Sequence, residues 1–255
     1  MKLIRGGALF VGLLGVAGVT QAGVTSTWTA VSDYDFRGIT QTGRDPALQA
    51  SVDYAHPSGW YIGGWASNID FGVDESASNL KDPKVELDIY TGFTKTLDTG
   101  LNFDVGGVAY TYPEESDFNY LEVYGGIGYT DKSGLSIKGK FFYSPDFGGD
   151  TTPGDTSAEY LTGDLSVPLP SNFSFTAHVG YSFGDYWDTF LKNSNAGDNY
   201  FDYAVGVGYT AGKFSLALKY IDGSDLKELE HTRNDIFTSE SKVVLSVATT
   251  FPWGE

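Results

Sequence analysis

A two-residue period recurs along almost the whole of this chain, and it restricts the possible folds more than any other feature. Val85, Leu87, Ile89 and Thr91 share one face of a segment, with Glu86, Asp88 and Tyr90 on the other. Phe173, Phe175, Ala177, Val179 and Tyr181 alternate with Ser174, Thr176, His178, Gly180 and Ser182. Side chains of a β-strand point to opposite faces in turn, so this period marks strands with unlike faces. Twelve such segments lie near residues 24–36, 46–56, 59–68, 84–95, 100–112, 119–130, 134–144, 157–168, 172–183, 199–210, 213–221 and 240–251. No segment carries a sustained helical period with caps. A strand crossing a bilayer needs about 9–11 residues, whereas strands of soluble proteins usually run to about 5–6.

The connections sharpen this reading. Tight links at 56–58, 96–99, 131–133, 169–171 and 211–212 alternate with long ones at 37–45, 69–83, 113–118, 145–156, 184–198 and 222–239. Short turns on one side and long loops on the other are the asymmetry of an outer-membrane barrel. The strand count is even and both ends fall on the short-turn side, as closure requires. Closure also answers the energetics, because each unpaired backbone group in lipid costs several kcal/mol and only a closed barrel pairs them all. Trp28, Tyr34, Phe36, Tyr54, Trp60, Tyr129, Tyr143, Tyr181, Phe183, Tyr209, Tyr220 and Phe251 lie near strand ends, where barrels carry interfacial girdles. The expected fold is all-β, a single up-and-down antiparallel transmembrane barrel of about twelve strands.

The first 22 residues read as a secretory leader. Lys2 and Arg5 precede an apolar run over 8–19, and Thr20-Gln21-Ala22 offers a small-x-small cleavage site. Cleavage after Ala22 leaves a barrel over residues 23–255 and takes the formal charge from −17 to −19 by removing two cations. So acidic a chain, with no basic patch, repels nucleic acid. The absence of cysteine excludes a disulfide scaffold, a thiolate metal site and a lipidated N-terminal cysteine.

One stretch near the N-terminus, Ser32-Asp33-Tyr34-Asp35-Phe36-Arg37-Gly38-Ile39-Thr40-Gln41-Thr42, resembles the hallmark of a proteobacterial family of porin-like proteins, the TorF or Gcw_chp family. The likeness continues through Asp45-Pro46-Ala47-Leu48-Gln49, Asp53-Tyr54-Ala55-His56, Trp65-Ala66-Ser67-Asn68-Ile69 and Glu86-Leu87-Asp88-Ile89-Tyr90. It extends to Asn119-Tyr120-Leu121-Glu122 and Ala177-His178-Val179-Gly180-Tyr181. The resemblance implies an outer-membrane barrel taken to be a porin, with no established substrate. The chain departs from a terminal aromatic assembly signal, since Pro252-Trp253-Gly254-Glu255 follow Phe251.

Parity assigns the faces. On a first strand running to residue 36, Trp28, Ala30, Tyr34 and Phe36 would face lipid, while Asp33, Asp35 and Arg37 would reach the outer mouth of the lumen. Gln49, Asp53, Glu86, Asp88, Asp104, Glu122, Asp164 and Asp202 should point inward with Lys138, Lys140, Lys219, Lys242 and His178. A Lys or Arg on the mid-bilayer lipid face costs about 2–4 kcal/mol, which drives these charges inward. Arg37 either ties the first loop to a wall carboxylate or forms a selective constriction with its neighbouring acids, and the two roles are compatible. The acids outnumber the bases, and Asp and Glu rings favour cations.

The expected function is passive diffusion of small hydrophilic solutes, with no cofactor, no metal and no catalytic residue. The surroundings would be outer-membrane lipid and lipopolysaccharide, reached through the barrel-assembly machinery. A barrel enzyme would need a nucleophile beside a positioned base, and His56, His178 and His231 sit in no such motif. A binding or adhesive barrel is the other alternative, through loops bearing Asp70, Asp74 and Glu75, Asp146, Asp150 and Asp155, and Asp222, Asp225, Glu228 and Glu230. These acids lack the spacing of a calcium loop. Gly125-Gly126-Ile127-Gly128 precedes no helix, which excludes a dinucleotide fingerprint. Gly106, Gly126, Gly128, Gly206 and Gly208 are expected to thin the wall or ease its curvature.

Overall fold

Twelve antiparallel strands bond edge to edge until the first meets the last. The structure, a computed structural model, describes residues 23–76, 78–151, 156–192, 199–224 and 240–253. The expected leader, Asp155, Asp225, Glu228, Glu230, His231, Gly254 and Glu255 lie outside the described residues.

The wall consists of β1 (Gly23–Val31), β4 (Ala47–Ala55), β5 (Trp60–Asn68), β6 (Val85–Thr96), β7 (Leu101–Thr111) and β8 (Tyr120–Thr130). It continues through β9 (Ser136–Ser144), β10 (Ala158–Pro168), β11 (Phe173–Phe183), β12 (Tyr200–Ala211), β13 (Phe214–Gly223) and β14 (Lys242–Phe251). Two short strands, β2 (Asp35–Phe36) and β3 (Ile39–Thr40), pair only with each other. Each wall strand pairs with its neighbours in sequence, and β14 closes on β1 with Trp28 opposite Thr249 and Val31 opposite Ser246.

Alternation sets the two surfaces. Leu48, Val52, Ile89, Val105, Leu121, Leu161, Val205 and Leu245 stand exposed on the outside, and Val243 keeps 62% of its surface. An apolar belt around the whole wall far exceeds the patches soluble monomers tolerate. It matches the lipid-facing band of an outer-membrane barrel. Trp28, Trp60, Tyr129, Tyr143, Tyr209 and Tyr220 are also exposed outside. No described helix is long and apolar enough to cross a membrane.

The first strand is shorter than its alternation predicts. Ser32 still donates its N–H to Leu245 O at 2.9 Å, but the chain then leaves the wall for the lumen. Tyr34 and Phe36 therefore do not face lipid. Tyr34 is buried edge-on to Trp65 at 5.4 Å, and Phe36 meets Tyr110 at 5.9 Å. The expectation of no helix also fails, because α1 (Asp185–Lys192) forms within the fifth long loop. Its first turn carries Asp185 and Asp188, which suit the positive end of a helix dipole. Trp187 anchors it inside, 4.7 Å from the Tyr200 ring and 5.6 Å from that of Phe147.

Candidate functional site

The stretch from Ser32 to Thr42 is a hairpin folded into the barrel. Arg37 and Gly38 both adopt positive φ, 54° and 82°, between the paired residues Phe36 and Ile39. A two-residue turn with both central residues left-handed matches the twist of its strands. The polar residues hold this shape from within. Thr40 Oγ1 donates to Asp33 Oδ1 at 2.5 Å, Thr42 Oγ1 to Asp45 O at 2.6 Å, and Gly38 N–H to Asp35 Oδ1 at 3.1 Å.

The hairpin tip is latched to distant wall strands. Arg37 Nη2 donates to both Glu122 oxygens on β8, at 2.8 and 2.7 Å. Their side chains are 6% and 0% exposed, and Tyr110 donates a further bond to Glu122 at 2.9 Å. Aromatic rings enclose the guanidinium, Tyr160 at 4.3 Å and Phe36 at 4.6 Å, an arrangement that attracts a cation to the ring faces. On the other side, Lys242 of β14 meets Asp35 at 2.7 Å and Asp33 at 3.7 Å. Gly38 rests on β12 so closely that a Cβ there would lie 2.7 Å from Asp202 Cβ.

Asp202 leads into a second cluster. His178 on β11 contacts Asp164 through Nδ1 at 2.7 Å and Asp202 through Nε2 at 3.0 Å. Tyr160 O–H donates to Asp202 Oδ2 at 3.1 Å. Closer to the short turns, Lys140 pairs with Asp104 at 2.6 Å, and Tyr61 donates to Asp104 at 2.8 Å. Tyr61 also bonds Tyr124, and Tyr90 bonds Asp53.

Glycine positions make this inner half possible. Tyr124 lies across Gly106 and Tyr90 across Gly63, their direct partners on the neighbouring strands. The Lys140, Lys138 and Lys219 stems lie across Gly126, Gly128 and Gly206. A Cβ at Gly126 would come within 2.7 Å of the Lys140 stem, and one at Gly206 within 2.8 Å of the Lys219 stem. The glycines thus seat inward side chains flat on the wall, a use more specific than relief of curvature.

All sixteen charged and polar residues singled out by parity or in the hairpin lie on the inner side. The structure gathers Asp33, Asp35, Arg37 and Glu122 at the latch, Asp164, His178 and Asp202 in the histidine cluster, and Asp104 with Lys140 below them. Asp53 joins Tyr90 instead of a charge. Lys138 lies inside opposite Asp164 in the register, and Gln49 and Lys219 also lie inside. Glu86 and Asp88 stand on β6 with no ion-pair partner among the described residues. The inward tyrosines Tyr61, Tyr90, Tyr110, Tyr124 and Tyr160 were missed as site residues. Their parity with Gly63, Asp88, Val108, Glu122 and Thr162 was the signal that would have found them.

Comparison with solved structures supports the architecture. The chain superposes on a KdgM porin with a TM-score of 0.57 at 7% identity, covering 90% of this chain and 99% of that one. A NanC porin gives 0.56 at 11% identity, covering 89% and 98%. A KdgM porin in complex with disordered oligogalacturonate gives 0.54 at 8% identity, covering 89% and 98%. These likenesses show the fold, a porin-type outer-membrane barrel. No curated protein matches the sequence. Residues 17–251 match the family described as a bacterial protein of unknown function, Gcw_chp, and the chain belongs to that family.

Proposed function

We propose that this protein is an outer-membrane channel for passive diffusion of small hydrophilic solutes, narrowed by its own first loop and mildly selective for cations. The observation that carries the reading is the hairpin of β2 and β3, latched across a charged lumen by Arg37–Glu122 and Lys242–Asp35. Around that constriction stand Asp33, Asp35, Glu86, Asp88, Glu122 and Asp202, against the cations Arg37 and Lys242. An excess of inward carboxylates favours cations in a narrow pore. The channel would sit in outer-membrane lipid and lipopolysaccharide, delivered by the assembly machinery after cleavage at Ala22. The TorF likeness supports the same reading. The proposal contains no catalytic step, and His178 is read as part of a carboxylate-bound cluster in the lumen.

Single-channel recording of the refolded mature chain, residues 23–255, in a planar bilayer under a salt gradient tests this. Discrete small steps with a reversal potential on the cation side are expected. A folded, heat-modifiable barrel that passes no current would overturn the proposal. A second reading, a surface-binding barrel, would then gain from the aromatic cavity beneath the long loops.

A further inference from the structure

Above the latch, on the long-loop side, lies a cavity of about 190 Å³. Nine of its fourteen lining residues are aromatic, and Glu86 is its one charged residue. Phe71, Tyr112 and Phe118 form one side, their rings 5.5 to 5.9 Å apart, and Phe147 and Trp187 form another. Engineered cavities of about 150 Å³ hold a benzene molecule, so this one has room for a single ring with a short substituent.

The carboxylate in this wall is unusual in its company. Glu86 is 2% exposed, and its hydrogen bond to the Tyr34 hydroxyl is long, 3.4 Å. Two residues along the same strand, Asp88 is fully buried with neither carboxylate oxygen hydrogen-bonded. Among the described residues no cation pairs with either, whereas Glu122 and Asp35 nearby have Arg37 and Lys242. A buried carboxylate without a counter-charge carries an uncompensated desolvation cost. Aromatic faces attract ammonium groups, and most strongly where water is excluded.

We propose that the cavity binds a small organic cation, an ammonium group on an apolar or aromatic body, with Glu86 as its counter-charge and the surrounding rings as its cage. Asp88 adds field from behind Glu86. The site does not depend on conduction, so a non-conducting barrel would leave it standing.

The test uses the refolded mature chain with phenethylammonium and with 2-phenylethanol, which matches its shape without the charge. Binding is followed by calorimetry and tryptophan fluorescence. The ammonium should bind saturably, and the alcohol about tenfold or more weaker. Glu86→Gln should weaken the ammonium about tenfold and leave the alcohol unchanged, with folding checked by heat-modifiable mobility. Phe118→Ala keeps the carboxylate and should weaken both ligands. Equal binding of ammonium and alcohol to the native protein would overturn the proposal even if Glu86→Gln failed to fold. So would an ammonium affinity unchanged in a folded Glu86→Gln variant, or a neutral disaccharide binding more tightly than the ammonium.

Discussion

The two halves of the lumen are built by different rules. On the long-loop side the interior is packed like a protein core. Tyr34, Tyr110, Tyr112, Tyr120, Phe147 and Trp187 belong to one buried cluster, with the pairs Arg37–Glu122 and Lys242–Asp35 buried beside it. On the short-turn side no connection is long enough to fold inward, and the wall furnishes its own lining. Tyrosines and lysines lie across glycines, with Tyr90 bonded to Asp53, Tyr61 and Lys140 to Asp104, and His178 to Asp164. A barrel of twelve strands falls between those filled by wall side chains and those wide enough to stay open. Here the outer half needs a loop to fill it, and the inner half does not.

The latch is where this contrast breaks most readily. Arg37→Ala should cost about 3–5 kcal/mol locally, because it strands Glu122 in a dry site. We expect earlier protease cleavage within residues 32–46 and a larger unit conductance, with wall strands retained by circular dichroism. The paired change Arg37→Met with Glu122→Met should recover most of the stability, since replacing a buried ion pair by apolar groups is often neutral. Gly38→Ala should act in the same direction, by about 1–2 kcal/mol for its left-handed backbone and more for the approach to Asp202. Urea midpoints would check both.

In the inner half the expected effects are smaller. Gly106→Val, which pushes against the Tyr124 ring, should destabilise by about 1–3 kcal/mol without exposing the first loop to protease. Lys140→Met should leave Asp104 without its cation and move the reversal potential further to the cation side. An unchanged reversal potential would show that solutes do not pass this pair.

The smallest effect lies outside the membrane. Burial alone would raise the Asp70 carboxyl, but Lys84 at 3.1 Å and the Gly72 N–H hold it below the usual carboxylate range. A depressed carboxylate stabilises above its unfolded pKa of about 3.9 and loses that contribution as pH falls. Amide exchange over residues 69–84 should therefore quicken on acidification, and Lys84→Ala should flatten that dependence.

The contrast also explains what the sequence revealed. The wall was legible because each strand separates lipid from interior. Observed strand limits from β4 onward fall within two residues of those read from alternation. The hairpin was not, because Asp33, Asp35 and Arg37 keep alternating with Tyr34 and Phe36 after the chain has left the wall. Inside the lumen both faces of a strand are buried, so parity no longer distinguishes lipid from interior. Gly38 and the threonines bonded around Asp33 and Asp45 were the local signs of a turn. The helix in the fifth loop has eight residues and owes its place to packing by Trp187, which no periodicity reports.

The Lys242–Asp35 contact has a consequence for biogenesis. The ladder between β1 and β14 spans six residue pairs, fewer than any other in the wall. Lys242 opens the last strand, and Asp33 and Asp35 follow the first, so this ion pair bridges that seam from within. The bridge cannot form until the final strand has been threaded into place. Zipping the cylinder shut and seating the hairpin then become one cooperative event, and prying the seam apart sideways would unseat the hairpin too.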